Sequence, residues 1–262
     1  MKVAVGSTCH AASSPDAGDN EPELIRSLAR SFRAADSSLL DLFDTFESLG
    51  DCCEFNGLQL RHGVARPAFF NWRGTTIPLL MELIASDLAG VDTPGNLELR
   101  IHQPRPDADA EYTIFNRHDG SSAHTFEYVG RVDPDLLLVR WQRKLKLLRR
   151  KFLADVRSAQ RIYLLRTWFP TEEAEVQHLA DLLRRKGDNI LLWVRIADLP
   201  SRTGKVQWLG PGLLLGEIDM LAPYEDAMAV KSLLWPRLLE QARQLANKRA
   251  ELCAAYRTNR FA

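Results

Sequence analysis

Apolar positions along the chain follow two periods. Between Leu137 and Val156 they recur three and four residues apart (Leu137, Trp141, Leu145, Leu148, Phe152, Val156), which is one face of a long helix. The stretch "TEEAEVQHLADLLRRKG" keeps that period and stops at a glycine, and the short apolar runs "RIYLLR" and "NILLWVRI" flank it. This pattern predicts a strand–helix–strand unit. Its short connections predict neighbouring parallel strands with a right-handed crossover. Between Asn96 and Val129, "LELRIHQ", "AEYTIFN" and "AHTFEYV" alternate or carry aromatics, and "RHDGSS" marks a turn between the last two. "KVQWLG" and "GLLLGEI" add two strand candidates, and a closing helix is predicted from about Glu225 to Tyr256.

Nearer the start, Leu24, Ile25, Leu28, Phe32, Leu39 and Phe43 fit one helix or two short ones. "DTFESLG" reads as a short strand running into a glycine turn. "EFNGLQLRHG" reads as a helix closed by Gly63, and "IPLLMELIASDLAG" as a helix with proline in its first turn. Residues 1–20, rich in Ala, Ser, Asp and Gly, are expected to form a flexible leader. The expected organisation is that leader, an N-terminal helical segment over 21–45, and an α/β domain over 46–262. The fold class is a single α/β domain, a mixed and partly parallel sheet flanked by helices.

Composition narrows the partners. The 262 residues are 45% hydrophobic, enough for one substantial core, and 34 basic side chains balance 34 acidic ones. Zero formal charge argues against a nucleic-acid binder. No apolar run approaches the roughly 18 residues that cross a bilayer. The opening "MKVAVGSTCHAASSPDAGDNEP" does not match a secretory signal. The four cysteines (Cys9, Cys52, Cys53, Cys253) suggest no disulfide framework, so reduced thiols in a cytoplasmic setting are expected.

Two of those cysteines stand side by side in "SLGDCCEF". Cys53 directly precedes a helical run, where the positive end of the helix lowers a thiol pKa. The alternative is that both are small apolar fillers of a tight turn. Of the six histidines, His124 enters a strand just after a turn, His102 and His118 lie at strand edges or loops, His178 is mid-helix, His62 lies too far along the helix of Cys53, and His10 is in the leader. Adjacent cysteines without the usual gap, and no paired histidines, match no zinc pattern, and no phosphate loop is present. No metal or cofactor is expected.

"SLGDCCEF" followed by "LQLRHG" resembles the opening motif of a bacterial family of papain-like cysteine peptidases, in which a strand and Ser-Leu-Gly precede two variable residues and a cysteine. "AHTFEYV" and "LGEIDMLAPYEDA" are similar to later features of that family, in the same order. Its members commonly carry asparagine at the position of Cys52 and glycine at that of Asn56. The resemblance implies a Cys53–His124 dyad. Asp219, in "GEIDM", is the candidate to fix the imidazole tautomer. Ser48, Gly50, Asp51 and Cys52 would contact substrate, the turn after Gly50 offering backbone N–H groups to an oxyanion. The expected function is a thiol-dependent hydrolase or acyl transferase acting on a peptide, an amide, an ester or a glycan-linked substrate. The alternative is a non-catalytic ligand-binding module of the glycan-assembly kind, with the same turn contacting a ligand at the end of a strand.

Overall fold

The computed structural model describes residues 37–50, 53–103, 105–223, 226 and 230–260. In chain order the elements are α1 (Ser37–Asp44), β1 (Phe46–Ser48), α2 (Cys53–Arg61), β2 (Arg73–Gly74), α3 (Ile77–Ala85), β3 (Leu97–His102), β4 (Glu111–Asn116), β5 (Ser122–Tyr128), α4 (Pro134–Ser158), β6 (Ile162–Leu165), α5 (Glu173–Lys186), β7 (Ile190–Ile196), β8 (Lys205–Gly210), β9 (Leu213–Ile218) and α6 (Trp235–Arg260). The expected leader and most of the expected N-terminal helical segment lie outside the described residues.

The protein is α/β, as its pattern of periods predicts. One sheet has the order β1-β6-β7-β9-β8. β1, β6, β7 and β9 run parallel, and β8 returns antiparallel at the edge. Ile162 pairs with Ile190 and Leu165 with Trp193, so "RIYLLR" and "NILLWV" are the parallel neighbours that the intervening helix α5 requires.

Continuous apolar strands mark a sheet covered on both faces. Tyr163, Leu165, Leu191, Trp193, Leu213 and Leu215 join the apolar stripes of α3, α4 and α5 in one core. Ile162, Leu164, Leu192, Val194, Leu214 and Ile218 meet α1, α2 and α6 in the other. Each fully buried Leu, Val or Phe in these layers contributes about 1.5–3 kcal/mol. α4 starts where its sequence says it must: Pro134 occupies the first turn, and the Asp133 side chain accepts the N–H groups of Asp135 and Leu136.

The strand-rich stretch forms a sheet of its own, antiparallel, in the order β2-β5-β4-β3. The closing helix starts at Trp235, about ten residues or nearly three turns later than expected. Pro236 has no N–H to give to an earlier turn, and the Leu234 N–H bonds to the Ser232 hydroxyl instead of continuing a helix upstream. Among the described residues no helix is long and apolar enough to cross a membrane.

Candidate functional site

The carboxyl end of β1 runs into Gly50, whose backbone sits at φ +88°. A Cβ there would lie 2.5 Å from the Thr75 hydroxyl and 2.8 Å from the Arg73 carbonyl. Thr75 Oγ1 donates to the Leu49 carbonyl at 3.2 Å, and the Gly50 N–H donates to Ser48 Oγ at 3.2 Å. Only glycine fits, because the turn needs a left-handed residue with another backbone pressed against it. Asp51 and Cys52 lie outside the described residues.

Cys53 is the first residue of α2. It is 3% exposed, and the rings of Trp72 and Trp168 pack against it. The guanidinium of Arg166 lies 3.5 Å from the centroid of the Trp168 ring. The next residue, Glu54, is fully buried. Its carboxylate accepts the Ala222 N–H at 3.1 Å and the Trp235 indole N–H at 3.1 Å, and it lies 3.6 Å from Arg166 Nε. Burial pushes the Glu54 carboxyl above its ordinary range, outweighing the pull of Arg166. This carboxylate ties the start of α2 to the residues that follow β6 and β9.

His124 stands in β5 where the register with β4 breaks: Thr113 pairs with His124, but Tyr112 pairs with Glu127. The bulge leaves Thr125 and Phe126 unpaired in the ladder and re-aims the strand. Thr125 Oγ1 donates to the Tyr112 carbonyl and accepts the Glu127 N–H at 3.0 Å. One carboxylate spans the bulge. Glu111 Oε2 lies 2.9 Å from His124 Nδ1, and Glu111 Oε1 accepts the Phe126 N–H at 2.7 Å. The His124 proton therefore sits on Nδ1, which puts the lone pair of the neutral ring on Nε2.

Two bulky residues beside His124 hold left-handed backbones, Trp72 at φ 60° and Phe126 at φ 58°. Each such conformation costs about 1–3 kcal/mol, and strain of this kind clusters at functional sites. The Trp72 carbonyl accepts the His124 N–H at 3.1 Å, and the Trp72 ring meets Phe126 edge-on at 5.0 Å. Trp72 thus packs on Cys53 and is also bonded to the backbone of His124.

Trp72, His124 and Phe126 line a cavity of about 120 Å³, together with Asn56, Gln59 and Arg73. α4 contributes Trp141 and Lys144. Asn56 lies one turn along α2 from Cys53, on the same face.

The other candidates fall elsewhere. His102 lies 5.9 Å from His124, ring to ring, while His62 stacks on Phe43 at 4.2 Å. His118 is exposed in its turn and His178 is exposed on α5. Asp219 is exposed and accepts the Ser232 hydroxyl, so the carboxylate on His124 is that of Glu111 and not that of Asp219. Glu111 carries a faint sequence signal, an acid opening a strand whose next apolar positions are core. Arg73 and Asn56 carry none, because each is polar within a segment that reads as ordinary turn or helix. Among the described residues no group of His, Cys, Asp and Glu could hold a metal ion. No family model matches the chain, and neither does any curated protein or solved structure at a level that would carry an argument.

Proposed function

We propose that this chain is a thiol-dependent acyl-transfer enzyme, a hydrolase of amide or ester bonds related to papain-like peptidases, with Cys53 as nucleophile, His124 as base and Glu111 as the residue that orients it. The observation that carries the reading is the buried Glu111–His124 pair at 2.9 Å, which sets the tautomer a general base needs, within a strained aromatic cluster that also packs on Cys53. His124 Nε2 takes the thiol proton as the sulfur attacks the substrate carbonyl. The carbonyl electron pair moves to oxygen, where backbone N–H groups at the start of α2 receive it. The tetrahedral adduct collapses to a thioester and expels the amine or alcohol, which takes the proton from His124. Water, deprotonated by His124, then cleaves the thioester. Because Cys53 is 3% exposed, substrate reaches its sulfur when Trp72 or Trp168 swings aside. Free thiols at Cys53 and Cys253 suit a reducing compartment such as the cytoplasm.

Burial of the Cys53 sulfur favours a second reading, a non-catalytic module whose ligand enters the cavity. Alkylation rates of individual cysteines against pH separate the two. Cys253 is exposed and serves as the internal reference. The enzyme reading requires a Cys53 midpoint below the roughly 8.5 of an unperturbed thiol, and a rise of that midpoint in His124→Ala but not in His118→Ala. A Cys53 midpoint equal to that of Cys253, or one unmoved by His124→Ala, overturns it.

A further inference from the structure

Asn56 and Arg73 bring to the cavity polar atoms that no group among the described residues satisfies. Asn56 is 2% exposed, and neither its amide oxygen nor its amide nitrogen has a hydrogen-bond partner. Arg73 is equally buried. One of its terminal nitrogens donates to Ser121 Oγ at 2.5 Å, its guanidinium carbon lies 4.6 Å from the centroid of the Phe69 ring, and Nε has no partner. Asp119 favours the Arg73 cation electrostatically, but the two form no ion pair. A buried polar group left unsatisfied costs about 1–3 kcal/mol. A buried cation without an anion costs more, and a guanidinium does not escape by losing its proton.

The rest of the lining does not supply the missing anion. Arg66 is already matched by Asp44 and Glu47, each at 3.6 Å. Lys144 lies at the surface, 4.0 Å from the Trp141 ring centroid. No carboxylate lines the cavity among the described residues. The wall is therefore cationic, with one amide group that both gives and accepts.

We propose that the cavity is a subsite for a carboxylate flanked by an amide N–H, the chemistry shared by N-acylamino acids and the C-terminal residue of a peptide. The Arg73 Nε–H and the Asn56 amide N–H donate to the carboxylate, and the Asn56 carbonyl accepts the neighbouring N–H. This satisfies every orphaned atom named above. Resting on the thiol-enzyme reading, the cleaved bond is that same amide. Its C–N bond breaks as the thioester forms on Cys53, and the amino acid leaves with the proton that His124 returns to its nitrogen.

Calorimetric titration of the full chain carrying Cys53→Ala, which prevents turnover, tests the subsite. The probes are N-acetylglycine, its uncharged amide N-acetylglycinamide, and acetyl-trialanine. Saturable binding of N-acetylglycine is expected, weaker by about tenfold or more for N-acetylglycinamide and for Asn56→Asp, which sets a like charge against the carboxylate. Binding of acetyl-trialanine as well assigns the site to peptide C-termini, and its failure to bind assigns the site to small N-acylamino acids; both support the recognition proposed. No saturable binding of N-acetylglycine, equal affinity for its amide, or a folded Asn56→Asp chain that binds as before overturns it. If Asn56→Asp fails to fold, as circular dichroism would report, the comparison of the two glycine probes decides. Retained binding with an unactivated Cys53 removes only the thiol reading. Lost binding with an activated Cys53 removes only the subsite.

Discussion

At the scale of single residues, the site depends on which ring nitrogen of His124 holds the proton. Glu111 accepts an N–H on each oxygen, one from His124 and one from the Phe126 backbone. Glu111→Gln keeps the shape and can still accept the Phe126 N–H, but it turns an NH₂ group toward Nδ1. The ring must then carry its proton on Nε2, the wrong tautomer for a base. Alkylation of Cys53 at neutral pH should fall by about tenfold or more with little change in melting temperature. Glu111→Ala, which orphans two buried donors, should in addition lose about 1–3 kcal/mol of stability. Unchanged alkylation in Glu111→Gln would show that the pair has no part in activating the thiol. Cys53 is legible from its strand-turn-helix signature, and His124 from its place in a strand just after a turn. Glu111 could not be paired with His124 in the same way, since a two-residue bulge decides which side chains meet and leaves no mark on period-two alternation.

At the scale of elements, legibility tracks how many residues share one physical cause. α4 and α5 announce themselves through long apolar stripes and polar starts, with Asp133 capping one and a Glu172–Glu175 capping box opening the other. α2 is legible as a helical run closed by Gly63, but its packing is not: its residues from Cys53 to Leu60 are all buried, yet Glu54, Asn56 and Gln59 are polar, so no apolar stripe marks a core face. Those polar groups are committed to backbone and site, as where Gln59 Nε2 donates to the Phe46 carbonyl at 2.9 Å and the Phe43 carbonyl at 3.2 Å. The turn that delivers Cys53 to this helix is legible through Gly50. Gly50→Ala should cost about 1–2 kcal/mol from the left-handed backbone alone, with the contacts to Thr75 and the Arg73 carbonyl adding to it. A lower urea midpoint at unchanged slope is the expected result. A midpoint like that of the parent chain would mean the turn relaxes away from the 70–75 segment.

For the whole molecule, the residue that joins distant parts of the chain is Glu54. It bonds to Ala222 and Trp235, which are 168 and 181 positions away, and it faces Arg166. No local pattern in "CCEFNG" foretells this, because the partners meet only after the parallel strands have aligned their carboxyl ends. Burial raises the Glu54 carboxyl above its ordinary value of 4.5, so the folded chain holds that proton more tightly than the unfolded chain does. The associated stability is fully present below 4.5 and is lost as pH rises through the raised folded value. Glu54→Gln cannot titrate. It gives up one acceptor and starts less stable in acid, but its stability relative to the parent chain should climb as pH rises from 4.5 and level off once Glu54 is ionised in both states. Urea unfolding of both chains across that range measures the difference; the trend, not the offset, is the test. Glu54→Ala cannot titrate either and should show the same climb, but from a lower starting point, because it strands the Arg166 cation, 3% exposed, without its carboxylate. The expected loss is about 3–5 kcal/mol at neutral pH. A pH-independent gap between Glu54→Gln and the parent would show that Glu54 titrates as it does in the unfolded chain, and the junction of α2 with the ends of β6 and β9 would then not be the dry contact described.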